Sequence, residues 1–247
     1  MNLLLLSAGE VDAAGEVRLR GARADHLIDV LRVEPGRSVR AGVVDGALGR
    51  AEVRAVQGRT VRLRVALDGP VPPRPRLDLL LAVPRPKALK RLWPAVAALG
   101  VGRVALTDAR KVERSYFDSR ALRHEVFRPL LLDGLAQARD TRVPEVSVHR
   151  SLRRLVEDEV PAWGHRVRAA ADPAHERTVA DALRGCAPPG RALLAVGPDG
   201  GWDAPERELL AAGGFVGVGL GPRPLRTETA TVALLALAHA ALEAAVP

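Results

Sequence analysis

Two hydrophobic patterns divide the chain. Up to about residue 72, short apolar runs alternate with charged positions. Leu3–Leu6, Val17–Leu19, Val39–Val44, Ala51–Val56 and Val61–Val65 each have strand length, and glycine-containing turns separate them. Short strands at this spacing predict a barrel or a strongly curved sheet. One helix interrupts them, from about Arg23 to Arg32, with Leu27, Val30 and Leu31 on one face and His26 and Arg32 polar. From Leu77 onward the runs become continuous and are spaced by helical stretches. Leu77–Val83, Val101–Leu106, Val146–Val148, Val167–Ala171, Ala192–Val196 and Phe215–Leu220 read as strands. Lys87–Leu99, Ser119–Ala138, Leu152–Val160 and Val179–Leu183 read as helices between them. Alternation of this kind predicts a mostly parallel sheet covered on both faces. Between the two patterns lies DGPVPPRPR, Asp68 to Arg76, whose four prolines and one glycine suit a stiff linker. The boundary is expected near Pro72, giving domains 1–72 and 73–247.

The last two strand runs each end in a Gly-Pro corner: Gly197-Pro198-Asp199-Gly200-Gly201, then Gly221-Pro222-Arg223-Pro224. Helices follow both. One starts near Asp203, with Pro205 and Glu206 in its opening turn; the other has Thr227 as its expected cap and runs to about Ala245. Gly-Pro-Asp-Gly-Gly alone is a tight-turn sequence. Two such corners, with a polar Arg-Thr-Glu-Thr cluster entering an apolar helix, point instead to a backbone-lined ligand crevice at the end of an α/β sheet. The glycines of GVGLG do not make a dinucleotide fingerprint, because no ribose-binding acid follows about 20 residues later.

Charge adds a partner to this picture. The net charge is +8, and residues 73–150 carry it, with 16 basic against 8 acidic side chains. A localised positive excess suits a polyanion. Cys186 is the lone cysteine, so neither a disulfide framework nor a cysteine metal site is expected, and a reducing, cytoplasmic setting fits. The opening MNLLLLSAGE lacks the basic start of a signal peptide. The apolar stretch Ala230–Val246 is interrupted by His239 and Glu243 and does not read as a membrane span.

VGPDGGW, from Val196, followed by LGPRPLRTETA, from Leu220, resembles the signature of the ribosomal RNA small-subunit methyltransferase E family (RsmE). Asp199, Trp202 and Pro224 are mild departures from IGPEGGF…LGxRILRTETA. HLIDVLRVEPG, from His26, matches the family's HxxxVLR…G, with Arg37 where Asp is common. RPKALKRLWPAVAALGV, from Arg85, corresponds to its K…R…LGV helix. DGLAQARDTRVPEV, from Asp133, resembles EAxEQxxRxxVPEV. Gln137, Val143, Pro144 and Glu145 are in register there, but Asp133, Ala136 and Asp140 are not, leaving Arg139 or Arg142 to stand in for an arginine.

The resemblance implies an α/β protein with an N-terminal PUA-like RNA-binding β-barrel and a C-terminal SPOUT domain containing a trefoil knot. It further implies methyl transfer from S-adenosylmethionine to N3 of a uridine in 16S ribosomal RNA, free or in the small ribosomal subunit, by a homodimer that needs neither metal nor membrane. The cofactor would lie against Ala171, Val196, Gly197, Pro198, Gly200, Gly201, Leu220, Gly221, Leu225, Thr227 and Thr229. Arg226 is the first choice to stabilise the uracil anion, and Glu228 would accept a proton or hold Arg226 in place. RNA contacts are expected from Arg23, His26, Arg32, Lys87, Arg114 and Arg142. The alternatives left open are another SPOUT RNA methyltransferase, acting on a ribose 2′-hydroxyl or a tRNA base, and a non-catalytic rRNA-binding assembly factor.

Overall fold

A computed structural model describes residues 2–245. The chain forms two compact units, one of Met1–Arg74 with Leu132–Val143, the other of Pro75–Leu131 with Pro144–Pro247. The sequence assigned residues 132–143 to the second segment. The structure returns them to the first unit, where the buried Thr141 hydroxyl donates to the Gly46 carbonyl at 2.7 Å.

The first unit is built on five strands: β1 (Leu4–Leu6), β2 (Glu16–Leu19), β3 (Ser38–Val43), β4 (Leu48–Gln57) and β5 (Thr60–Ala66). Their order is β1-β3-β4-β5-β2; β1 and β3 run parallel and every other pair is antiparallel. Strict alternation sets the faces. Val61, Leu63 and Val65 are buried while Arg62 and Arg64 are exposed, as a period of two requires. The inner side chains join Leu6, Val17, Leu19 and Val53 in one apolar core. Leu27 enters that core from helix α1 (Ala22–Asp25), which continues as a π turn over His26–Val30.

The second unit contains a six-stranded parallel sheet of β6 (Leu77–Ala82), β7 (Arg103–Thr107), β8 (Glu145–His149), β9 (Val167–Ala171), β10 (Ala192–Val196) and β11 (Phe215–Val218), in the order β11-β9-β10-β6-β7-β8. Every residue of β6 and β10 is buried, which is why β10 reads as an unbroken apolar run and β6 as one interrupted only by Asp78. Helices α2 (Pro86–Ala98), α3 (His124–Ala138), α4 (Leu152–Arg154, continuing as a π turn to Glu159), α5 (Val179–Leu183), α6 (Ala204–Ala212) and α7 (Thr227–Ala244) connect and cover the strands, and the C-terminal part of α3 belongs to the first unit. From β6 the chain builds outward to β7 and β8, then returns to place β10 and β9 on β6's other side. In an open α/β sheet that reversal creates a crevice at the carboxyl ends of the strands. Near the amino end of β6 the buried Asp78 takes a 2.7 Å bond from His165 Nε2 and bonds of 2.7 and 2.8 Å from Arg191.

Two element assignments change. The helix expected over Ser119–Ala138 begins only at His124. Before it come 3-10 turns over Arg114–Asp118 and Arg120–Leu122, because Ser119 caps the second turn and Arg123 is extended. The expected cap Thr227 is instead the first residue of α7, and Arg226 holds the cap position without capping through its side chain.

Candidate functional site

Parallel pairing puts the carboxyl ends of β9, β10 and β11 side by side, so the loops that leave them must meet. The loop after β10 is shaped by its neighbours. Gly197 lies against the buried Trp202 ring, where a Cβ would approach to 3.1 Å. Gly201, at φ +68°, donates to the Pro198 carbonyl at 2.8 Å and closes the turn. Asp203 then caps α6, accepting from the Glu206 amide at 2.9 Å while Glu206 accepts from the Asp203 amide at 2.8 Å.

Asp199 joins this loop to α7. Its Oδ1 accepts from the Thr227 hydroxyl at 3.0 Å and from the Thr227 amide at 3.3 Å. A helix N-terminus has amides without intrahelical partners, and a carboxylate from the neighbouring loop satisfies one here. The Thr231 hydroxyl bonds back to the Thr227 carbonyl at 2.7 Å, fixing the first turn from inside.

The loop after β11 has the opposite character. Its first amide, Gly219, donates to the Arg177 carbonyl at 2.9 Å; from Leu220 to Leu225, no backbone amide finds a backbone partner among the described residues. Gly221, at φ +87°, turns the chain there. The third wall leaves β9 through Ala171 and Asp172. Asp172 is 9% exposed, and its Oδ1 accepts from the Ala174 amide at 2.9 Å. Its Oδ2 is buried with no hydrogen-bond partner among the described residues; the Arg207 Nε lies 3.7 Å away. Lys111 completes the rim, its Nζ donating to the Gly200 carbonyl.

These walls enclose a cleft of about 480 Å³. Ala171, Val196, Gly197, Pro198, Gly200, Gly201, Leu220, Gly221, Leu225 and Thr227 all line it. Thr229 does not; it is exposed on α7. Arg226 stands between two lining residues without lining the cleft itself; it is exposed and has no side-chain partner among the described residues. Glu228 pairs with Arg91 of α2 at 2.7 Å, so it does not hold Arg226. Near the Asp199 rim, Tyr116 donates to Glu113 at 2.9 Å; partial burial and that carboxylate push its hydroxyl pKa above the ordinary phenol value.

The sequence reading missed Asp172, Lys111, Arg207, Arg223 and Leu234 as lining residues. Asp172 alone carried a signal, as a polar residue directly after an apolar strand of a sheet whose strand ends were already suspected.

The residues expected to touch RNA are divided between the units, and two are already committed. Arg23 is bound to Glu10 and to the Leu5 carbonyl, and Arg142 donates to the Pro72 and Asp45 carbonyls. Arg32 is exposed at φ +48°, His26 is half-buried, and Lys87 and Arg114 are exposed.

The family model for an RNA methyltransferase domain matches residues 72–239. The ribosomal RNA small subunit methyltransferase E of Treponema pallidum is 31% identical over 253 residues, covering 97% of this chain and 92% of that protein. Its namesake in Mycobacterium tuberculosis is 30% identical over 222 residues, covering 87% and 82%. The crystal structure of a ribosomal RNA small subunit methyltransferase E from Neisseria gonorrhoeae, bound to S-adenosyl methionine, superposes with a TM-score of 0.77 at 22% identity, covering 98% of each chain. No helix among the described residues is long and apolar enough to cross a membrane.

Proposed function

The chain belongs to the ribosomal RNA small subunit methyltransferase E family, and from that premise we propose that it transfers a methyl group from S-adenosylmethionine to N3 of a uridine in 16S ribosomal RNA. The observation that carries this reading is the cleft itself. Three strand-end loops converge on it, and one of them, Leu220–Leu225, presents backbone amides that the protein leaves unpaired. A volume of about 480 Å³ falls within the range of small-molecule sites. Unpaired backbone groups on Leu220, Gly221 and Leu225 suit the edge of an adenine, and the Asp172 carboxylate, which has one oxygen without a hydrogen bond among the described residues, suits a hydroxyl or ammonium donor on the same molecule.

S-adenosylmethionine, when bound, supplies a methyl group already activated by a sulfonium. What remains for the protein is alignment and control of charge. N3 of uracil carries a proton and reacts only after losing it, when the negative charge spreads onto O2 and O4. Arg226, unpaired at the entrance of α7, is assigned to sit beside that anion and favour it. Glu228 is assigned a supporting part through Arg91, since its carboxylate is already engaged there. N3 is occupied in a Watson–Crick pair, so the target uridine is unpaired when it reacts.

The same proposal takes the first unit as a PUA-like RNA-binding module and the strand-end loops as the crossings of a trefoil knot. It takes the stripe of α7 that exposes Val232 (39%), Ala236 and Leu237 (48%) as the seat of a second copy.

Titration calorimetry with S-adenosylmethionine, followed by methyl transfer to 30S subunits and to free 16S RNA, tests the reading. Digestion of the product RNA to nucleosides is expected to yield N3-methyluridine. A 2′-O-methyl product would move the activity to ribose, and no cofactor binding would remove the enzyme reading altogether.

A further inference from the structure

A basic hollow in the first unit has no part in the cleft just described. Arg40 on β3 stands directly opposite Arg50 on β4. Two arginines in that position repel each other. The same sheet contains a second such pair, Arg18 opposite Arg62, but there Glu16 lies 3.3 Å from Arg62 and relieves it. Arg40 and Arg50 have no relief of this kind: neither makes an ion pair or side-chain hydrogen bond among the described residues.

Arg139 joins them. It follows the last residue of α3 at φ +62°, a conformation in which glycine is the usual occupant, and its guanidinium is likewise unpartnered. The three arginines and Asp68 line one hollow of about 410 Å³. Asp68 makes no ion pair with any of them, and the balance of charge around the hollow is two positive. Its floor is firm, because a Cβ on Gly49 would come within 1.9 Å of the Ala66 carbonyl oxygen.

We propose that this hollow seats phosphodiester groups of the substrate RNA strand; the inference rests on the RNA-methylating reading above. Guanidinium forks match phosphate oxygens, and an unrelieved cationic pair gains most from an anion arriving between its members. All three side chains are exposed. A lone phosphate ion there would be screened by solvent and held weakly, whereas a strand placing phosphates at several arginines gains from the release of several counterions. Arg139 thereby takes the part that Asp140, beside it, cannot take. Arg142 is excluded by its bonds to the Pro72 and Asp45 carbonyls.

The test uses the full chain with Arg40→Gln, Arg50→Gln and Arg139→Gln combined. Binding of a single-stranded 16S fragment is followed by fluorescence anisotropy between about 50 and about 200 mM salt. Loss of three phosphate contacts is expected to weaken binding roughly 50-fold near about 0.15 M salt and to flatten the log–log salt slope by about 2. Cofactor affinity, measured by calorimetry on the same variant, stays at the wild-type value and shows that the cleft is intact. The pair Arg18→Gln with Arg62→Gln, on the same sheet, is expected to change RNA affinity far less. Inorganic phosphate added at constant ionic strength leaves RNA binding unchanged; saturable displacement by phosphate would make the hollow a free-anion pocket and overturn the proposal. So would an unaltered affinity and slope in the triple variant, provided the wild type binds and methylates RNA. A wild type that neither binds RNA nor transfers methyl would instead overturn the functional reading on which this inference stands.

Discussion

Asp172 offers the sharpest test of what the cleft holds. Its carboxylate is nine-tenths buried in the wall of the cleft: one oxygen is satisfied by the Ala174 amide, and the other is shut off from water with no hydrogen bond among the described residues, 3.7 Å from the Arg207 Nε. Folding has already taken that oxygen out of water, so a ligand donor that reaches it gains a charge-assisted bond. Such bonds are worth about 1.5–3 kcal/mol net. At about 1.4 kcal/mol per tenfold change, Asp172→Asn should weaken S-adenosylmethionine binding by roughly 10- to 150-fold. Asparagine keeps an acceptor for Ala174 but turns an amide toward Arg207 and the cleft. Calorimetry gives the affinity directly, and urea unfolding of the same variant checks that the loss is local. Wild-type affinity with an unchanged unfolding midpoint would refute the reasoning, because the orphaned oxygen would then have no ligand to satisfy.

Three further outcomes follow from other contacts. Arg226→Ala should leave cofactor affinity within about twofold while lowering single-turnover methyl transfer by about 100-fold or more, the range found when a charge-stabilising donor is removed. Asp78→Ala should lower stability in urea by about 3–5 kcal/mol, because Arg191 and His165 lose the buried anion that both contact. His239 titrates below the ordinary histidine value because burial disfavours its imidazolium, with Glu243 and a backbone group of Gly100 pulling the other way. The folded chain therefore binds fewer protons than the unfolded chain just below about pH 6.5, and stability should fall as pH drops through that point. His239→Gln should remove that part of the slope in unfolding titrations at about pH 7.5 and 5.5.

Much of the architecture could be read from local pattern, because burial geometry writes itself into short stretches. Val61, Leu63 and Val65 alternate with arginines since one face of β5 meets the core, and β10 is unbroken, with β6 interrupted only by Asp78, because both their faces are covered. What escaped the pattern depends on distant chain. Residues 132–143 continue a helix that begins in one unit, and only distant bonds, such as those from Thr141 to Gly46 and from Arg142 to Asp45, show that they belong with the other. Thr227 has the chemistry of a cap, but Asp199, 28 residues earlier, supplies the carboxylate that satisfies the helix amide, and the threonine moves inward. Arg226 and Glu228 look like partners on paper. Positions two apart on a helix do not face one another, and Arg91 reaches Glu228 first.

The glycines of GVGLG show how a site can be shaped by residues that never touch a ligand. Read as sequence, they make no dinucleotide fingerprint, because no ribose-binding acid follows at the required distance. In the fold, a Cβ on Gly217 would meet the His175 ring at 2.2 Å, and one on Gly219 would meet the His175 carbonyl oxygen at 2.0 Å. Gly219 is therefore required by the backbone of the chain that leaves β9, which crosses this close to β11, whereas a side chain at Gly217 would displace only the exposed His175 ring. That crossing is tied by bonds from Asp172 to the Val218 carbonyl at 2.8 Å and from Gly219 to the Arg177 carbonyl at 2.9 Å. It holds Asp172 in the wall of the cleft and directs Leu220–Leu225 along the other side with their amides unspent. A side chain at Gly219 would push the two walls apart, so cofactor binding depends on a position that contributes no atom to it.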